Sequence, residues 1–348
     1  LVEYRRPLLT IAAGAVLVAF VFAILPQVLG IGDTLKRVRQ GNKSWLLLAV
    51  VFETLSLAGY TALFRAVFSS EDHRISWRLS YQITLAGTVA TKVLAAGGAG
   101  GIALTAWALR AAGLDGRTIT QRMAGFEVLL YTVYMGALLI TGVGLATHEI
   151  PGGGPLALTV GPAAFAALVI VLVLVVALRH RPAASSESAR RLPAPLRKVR
   201  EALGVVSRTA CEGIRTSADL LAHPRPGHLG AIAYWAFDIA TLWASFRAFG
   251  VAPRLAVLIM AYFVGLLANA IPLPGGIGGV EGGMVGVLVA FGVDAGAAFV
   301  AVLTYRAISF WLPTIPGILA YVQLRRTVAR SRPDAAPALT TAARAEPG

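Results

Sequence analysis

The sequence predicts an all-α protein: a polytopic membrane helix bundle of about eight spans, with two glycine-rich broken or re-entrant elements and an internal repeat. Three observations predict it. Hydrophobic residues make up 57% of the 348 and charged residues only 14%, at a mean hydropathy of +0.72. The apolar residues gather in runs of about 20, the length that crosses a bilayer core. Two similar GGxGG stretches interrupt that pattern, one in each half of the chain.

The runs cover residues 8–30, 45–68, 79–96, 123–147, 156–178, 229–249, 255–272 and 297–323. The first reads as a retained helix and not a signal peptide, because no small-residue cleavage site follows it and more spans come after. Between the fifth and sixth runs, residues 179–227 carry ten Lys/Arg against four acids, and the tail after Gln323 carries five Arg against two acids. Short basic segments stay on the cytoplasmic side, so both are expected there. The loop "THEIPGGGP" (147–155) has no Lys or Arg and is expected outside. Arg5, Arg6, Arg74 and Arg78 favour a cytoplasmic N-terminus, which leaves the basic stretch 31–44 as a short amphipathic outer segment.

These features divide the chain into an integral membrane domain over 1–324 and a basic, disordered cytoplasmic tail over 325–348. Within the first, 179–227 is a basic linker followed by an amphipathic helix, with Leu196, Val199, Leu203, Val206, Ala210 and Leu221 at helical spacing. The formal charge of +14 is explained by topology and attraction to anionic headgroups, not by nucleic acid. A single cysteine, Cys211, excludes an internal disulfide and any cysteine-based metal site.

The two halves share a pattern. "AGGAGGIALTAWALRAAGLD" (96–115) and "PGGIGGVEGGMVGVLVAFGVD" (274–294) each give GGxGG, a short apolar segment, then Gly, an aliphatic residue and Asp, at an offset of 178 or 179. Gly97, Gly98, Gly100 and Gly101 thus correspond to Gly275, Gly276, Gly278 and Gly279. Glycine runs destabilise a continuous helix, and Pro272 and Pro274 strengthen the break in the second copy. Segments 102–112 and 280–291 are too short to span and read as re-entrant or half-spanning elements. Paired broken helices in a repeated fold are where transporters form their sites.

Ionisable residues inside spans are costly and therefore candidates for function. They are Glu281 after the second glycine run, Arg306 in the last span, Asp238, Glu127, Glu53 and Lys92. Glu281 and Arg306 are the expected pair, with Arg122 and Glu127 as first-half counterparts. The same pairs could serve only to lock helices together. Asn269 is placed to hydrogen-bond backbone freed at the break. Arg65, Arg110 and Arg247 lie near span ends and are expected to snorkel. The five histidines, His73, His148, His180, His223 and His228, fall in loops or at span ends, so no metal site or cofactor is expected. No GxSxG, HExxH, Walker A or DxD sequence is present, and the chain does not read as an enzyme.

At this level the chain resembles the lysylphosphatidylglycerol synthase transmembrane-domain family, also called the flippase-like domain family. The resemblance is carried most specifically by "IPLPGGIGGVEGG", through Pro272, Pro274, Gly275, Gly276, Gly278 and Glu281. It is supported by "FDIATLWASFRAFG" ending on Gly250, by Gly292, by "LTYRAISFWLPTIPG" with Arg306 and Gly317, by the first-half glycine motif, and by Arg65 in "LFRAVF". It runs from about residue 45 to 323. Two departures are Ala95 and Ala96 where a proline is common, and "QRMAGFE" in place of an ER pair. Only the membrane domain is matched, without the soluble aminoacyltransferase domain, so the synthase activity does not carry over.

What the resemblance implies is lipid translocation in the cytoplasmic membrane, of an anionic, aminoacylated or glycosylated lipid. The alternative is a non-catalytic accessory or scaffold subunit of an envelope lipid or glycolipid enzyme, so the expected partners are membrane lipids and a lipid-modifying or glycosyl transferase. Bottom-up, broken-helix amides would meet an anionic headgroup in a cavity between the repeats. Arg306 and Lys92 would add positive charge, and Glu281 would hold Arg306 or accept a cationic group.

Overall fold

In the computed structural model, residues 41–69, 74–93, 99–179, 211–220, 222–223, 225–270, 276 and 278–330 are described. Ten helices carry the architecture: α1 (Lys43–Phe68), α2 (Trp77–Val93), α3 (Ala99–Ala111), α4 (Gly116–Ala146), α5 (Leu156–Arg179), α6 (Gly230–Arg247), α7 (Leu255–Leu267), α8 (Gly279–Ala290), α9 (Ala295–Arg306) and α10 (Thr314–Arg330). A 3₁₀ turn, Pro226–Leu229, leads into α6, and a π-turn, Ala307–Trp311, joins α9 to α10. Among the described residues there is no strand. The predicted run 8–30, most of segment 31–44, most of the 179–227 linker and the tail beyond 330 lie outside them.

Five stretches are long and apolar enough to cross a bilayer: Lys43–Phe68, Gly116–Ala146, Leu156–Val175, Pro226–Arg247 and Ala295–Arg330. Two predicted runs, 79–96 and 255–272, resolve differently. α2 packs antiparallel on α3 with Gly87 against Gly101 and Thr105, and α7 packs antiparallel on α8 with Gly265 against Gly283 and Met284. At about 1.5 Å per residue, α3, α7 and α8 reach no further than roughly 20 Å, short of a core of about 30 Å. Each pair is therefore a hairpin that enters and returns on one side. A hydrophobic run records only apolar length. The returning partner is what turns a span into a hairpin.

The repeat is visible residue by residue. After α3, Gly113 (φ 94°) and Leu114 donate their N–H groups to Arg110 and Leu109; after α8, Gly292 (φ 85°) and Val293 donate to Val289 and Leu288. All these positions are offset by 179. Both glycines take the left-handed conformation that closes a helix C-terminus, which a side chain would strain. Both turns then end on an aspartate that caps the next helix. Asp115 accepts from the N–H groups of Arg117 and Thr118, both at 3.0 Å, and Asp294 from Ala297 at 2.8 Å.

The cap at Asp115 lies outside the spans and titrates. Its hydrogen bonds, led by those from Thr118, hold the carboxyl below the usual carboxylate range. A depressed folded-state value stabilises the helix start above the ordinary aspartate pKa, and that contribution is lost as pH falls through the folded value. The first turn of α4 is therefore expected to loosen only as pH falls below the ordinary aspartate pKa of about 3.9 in the wild type. In Asp115→Asn it should stay closed. Hydrogen exchange at residues 117–119, corrected for intrinsic rates, reads the difference.

α1 and α6 form the centre of the bundle. Ser56 Oγ donates to the Tyr234 carbonyl at 2.9 Å, and these two residues stand 178 apart. Gly59 packs against Gly230, with the Gly230 oxygen 3.1 Å from the position of a Gly59 Cβ, while Phe52 stacks on Phe237 with centroids 6.1 Å apart. Under the offset of 178, Gly59 maps to Phe237 and Phe52 to Gly230. The two contacts are therefore one contact exchanged by a pseudo-two-fold, as in an isologous interface. Because residue numbers rise along α1 as they fall along α6, the axis is perpendicular to both helices. If the helices cross a membrane, the axis lies in its plane, which is the inverted-topology arrangement.

The antiparallel halves sort the loops to two ends. At one end Arg122 donates to the Phe68 carbonyl (2.7 Å), Arg225 to Ser69 (2.9 Å) and Arg65 to Ile75 (3.2 Å). The end of α10 joins them, with Thr327 hydrogen-bonded to Gln82 on α2 at 3.3 Å. At the other end Asn42 donates to Ala248 (2.9 Å), and the 147–155 loop packs through Gly152 and Gly154 on Val257 and Phe291. Outward-facing apolar side chains such as Leu47, Ile140, Leu168, Leu172 and Ile315 cover the perimeter, as a lipid-facing surface requires.

Candidate functional site

A cavity of about 670 Å³ lies between the two halves. It sits at the inner ends of both hairpins, where α1, α2, α3, α4, α6, α7 and α9 converge, and it is lined by Glu53, Lys92, Glu127, Asp238, Asn269 and Arg306. An enclosure of this size suits a small polar ligand or headgroup. The polar wall is backed by Leu57, Phe64, Ile83, Phe126 and Leu130, so charges here act in a low-dielectric setting.

The expected pair forms. Arg306 Nε donates to Glu281 Oε1 at 2.6 Å, with only 10% and 18% of the two side chains exposed. Glu281 is the third residue of α8, and its other oxygen accepts from the Gly278 N–H at 2.7 Å. Gly278, at φ 83°, starts the helix in a conformation that favours glycine. One carboxylate thus closes the broken helix end and fixes the arginine of the next helix. The Gly278 amide, expected to face a headgroup, is instead occupied by Glu281. Glu281 stands behind Arg306, and Arg306 is the member that lines the cavity.

Lys92 ends α2 just before the first break, and its ammonium donates to the carbonyls of Ser309 and Phe310, both at 3.1 Å. These carbonyls belong to the π-turn, where wider coiling loosens the regular backbone ladder. Lys92 and Arg306 both lie over the Phe310 ring, at 4.8 and 4.9 Å from its centroid. The tip of the first hairpin is thereby tied to the last span by the two Lys92 hydrogen bonds and by the Phe310 ring that both cations share.

On the opposite wall Asp238 is buried, and its Oδ2 accepts from the hydroxyls of Tyr262 (2.5 Å) and Tyr305 (3.2 Å). Glu53 is buried beside it on α1. Glu127 reaches the cavity from α4, at the position that corresponds to Arg306 under the 179 offset. The repeat therefore places opposite charges at equivalent sites. The helix is also interrupted in one copy and continuous in the other, since α4 runs unbroken where the second half carries the π-turn.

The expected pairing of Arg122 with Glu127 does not form the site. Five residues apart on a helix, the two point roughly 140° from each other; Glu127 faces the cavity while Arg122 donates to the Phe68 carbonyl at the bundle's end. Asn269 lies at the second break, where its side-chain oxygen packs against Gly276. Gly100, Gly101 and Gly279 lie within the first turns of α3 and α8, while Gly97, Gly98, Pro272, Pro274 and Gly275 fall outside the described residues. Arg65 and Arg247 lie over Trp77 and over Trp45 and Trp243 at the bundle's ends. Among the described residues, no three His, Cys, Asp or Glu side chains group as a metal site would need.

Tyr262 and Tyr305 carried no distinguishing sequence signal, since a tyrosine in an apolar run reads as core. Glu53 had one, as an acid inside a span. Its neighbour is 185 residues away in the chain, so only the α1–α6 crossing reveals the pair.

Comparisons with known proteins agree with this architecture. Three UPF0104 membrane proteins of Methanothermobacter thermautotrophicus align with parts of the chain. One is 35% identical over 97 residues, covering 28% of this chain and 28% of the relative. The others are 37% identical over 89 residues (24% and 26%) and 33% identical over 87 residues (25% and 26%). The chain thus matches little more than a quarter of the length of these curated relatives. A family profile, the lysylphosphatidylglycerol synthase TM region, matches residues 9–317. With most of its length matched, the chain belongs to the lysylphosphatidylglycerol synthase TM region family.

Proposed function

We propose that this multi-pass membrane protein moves a lipid with an anionic headgroup between the leaflets of the cytoplasmic membrane. The observation that carries the reading is the cavity of about 670 Å³ at the meeting of two inverted hairpins, with Arg306 and Lys92 in its wall. Each charge buried at that depth costs about 2.5–3.5 kcal/mol on insertion scales, so its presence calls for a use. The enclosure fits a headgroup and not a whole lipid, which leaves the acyl chains in the bilayer while the polar group crosses. Inverted hairpins supply the two related arrangements that alternating access needs. Membership of a family named for the membrane region of a lipid synthase supports lipid as the cargo.

The work done is movement and not covalent chemistry. Arg306, held by Glu281, meets the phosphate; Lys92 secures the π-turn beside it; Asp238 and Glu53 set the charge balance of the opposite wall. The end that carries Arg74, Arg78, Arg117, Arg225, Arg325, Arg326 and Arg330 faces the cytoplasm by the positive-inside rule.

Purified protein in sealed liposomes, given labelled anionic, aminoacylated and polyprenyl-phosphate lipids in separate arms, tests the reading. Faster leaflet exchange of one or more of these than of a labelled zwitterionic lipid is expected. Exchange no faster than in protein-free vesicles in every arm, with a transferase co-purifying from membranes, would instead favour a scaffold.

A further inference from the structure

The α1–α6 crossing leaves two buried oxygens facing an unusual problem. Oε2 of Glu53 and Oδ1 of Asp238 have no hydrogen-bond partner, although both are buried. Glu53 and Asp238 meet across this crossing, beside the Phe52–Phe237 stack and the Ser56–Tyr234 hydrogen bond, and both line the cavity. Two acceptors cannot satisfy each other, and two adjacent carboxylates in a low-dielectric wall repel strongly. A single proton between these two oxygens removes both difficulties.

We infer that Glu53 and Asp238 hold one proton between Oε2 and Oδ1, and that exchange of this proton with cavity water is coupled to the lipid movement proposed above. The coupling rests on that reading; the shared proton does not. The surrounding charges fit a proton-bearing pair. From α2, Lys92 faces both carboxyls, so a pair carrying one negative charge is balanced by one cation. From α9, Arg306 is held by Glu281. From α7 and α9, the Tyr262 and Tyr305 hydroxyls donate to Oδ2 of Asp238, which marks the opposite oxygen as the protonated edge. Tyr234 on α6 borders the pair, Tyr60 on α1 packs against Tyr234 with ring centroids 5.0 Å apart, and beyond them Glu127 approaches from α4. From α3 the cavity receives only Gly101, Ile102 and Thr105, none of them titratable.

Loss of the proton leaves two negative charges against one lysine. The deprotonated state is therefore admissible only when water enters the cavity, while an anionic headgroup beside the pair favours the protonated one, which links the proton to the loading and opening of the site. An intramembrane carboxyl with this property is the usual element of a proton-linked transporter.

Infrared spectra of the full chain in phosphatidylglycerol vesicles, with hydrogen–deuterium exchange, test the shared proton directly. A protonated-carboxyl band is expected at neutral pH. It should disappear in Glu53→Gln and equally in Asp238→Asn, because each leaves one carboxyl opposite Lys92, and that carboxyl ionises. It should remain in Glu127→Gln. Thermal unfolding of each variant checks that the nearly isosteric changes leave the fold intact. Failure of both variants to remove a band overturns the shared proton.

In the same vesicles, each unit of imposed pH difference should shift the leaflet distribution of labelled phosphatidylglycerol about tenfold for one proton per lipid. The shift should vanish in both variants. Lipid exchange indifferent to the gradient overturns the coupling. No exchange under any gradient overturns the lipid reading and the coupling with it, while the band still decides whether the proton is shared.

Discussion

Arg306→Ala is expected to reduce lipid exchange to the protein-free rate while the bundle stays folded. The guanidinium lines the cavity and is aimed by a 2.6 Å bond from Nε to Glu281. Its removal takes from the wall the cation whose position depends on the second break. Losing one partner of a fully buried pair costs about 3–5 kcal/mol. Here the cost falls below that, since Glu281 keeps 18% of its side chain exposed and retains its bond to the Gly278 amide. Glu281→Gln separates the two duties of the carboxylate. Glutamine can still accept from Gly278, so the helix start is kept, but the charge that fixes Arg306 is gone. Exchange should therefore fall with little loss of stability. The double variant Glu281→Gln with Arg306→Gln should unfold at or above the temperature of Arg306→Ala yet exchange no lipid. Recovery of exchange in the double variant would mean that the pair acts only as a brace.

Gly230→Ala is expected to destabilise the protein by on the order of 3 kcal/mol, because it overpacks the crossing of α1 and α6. A Cβ at this position would overlap the Gly59 carbonyl oxygen and approach the Leu63 nitrogen to 2.8 Å. Both obstacles are backbone, so no rotamer change relieves them; the helices must part. Parting them also separates Glu53 from Asp238, and function should fall even where folding survives. Gly282→Ala supplies the comparison, since nothing lies within 4 Å of its Cβ position on the outer face of α8. There the better helix propensity of alanine should raise stability by up to about 1 kcal/mol. Thermal unfolding of both in one detergent should show shifts of opposite sign.

Much of the fold was legible because its determinants are local. Apolar runs of bilayer length mark α1, α4, α5, α6 and the last span, and the twice-used Gly–aliphatic–Asp ending marks two turns whose glycine and following residue make equivalent backbone hydrogen bonds. The direction of α2 and α7 was not legible, since a run of 18 apolar residues reads the same whether it crosses or meets a returning helix. Glu281 and Arg306 could be paired from sequence because the two charges lie 25 residues apart on either side of one short turn. The Glu53–Asp238 contact could not, as it depends on a crossing between helices from different halves. Arg122 and Glu127, expected as the first-half counterparts of Glu281 and Arg306, lie five residues apart on one helix and so do not share a face. The occupied Gly278 amide changes the expected chemistry most: the broken helix end organises the site from behind, and the arginine side chain presents the charge.

On the function proposed above, lipid headgroups pass through the cavity between the repeats. Thr88 lines that cavity on α2 and is half-buried, and Cys211 is the single native cysteine. A Thr88→Cys, Cys211→Ser chain in sealed liposomes can therefore be blocked at one point by a bulky, reducible thiol reagent. The prediction is leaflet exchange before labelling, loss of exchange once the thiol is fully modified, and recovery after reduction. Undiminished exchange by the fully labelled protein would contradict it.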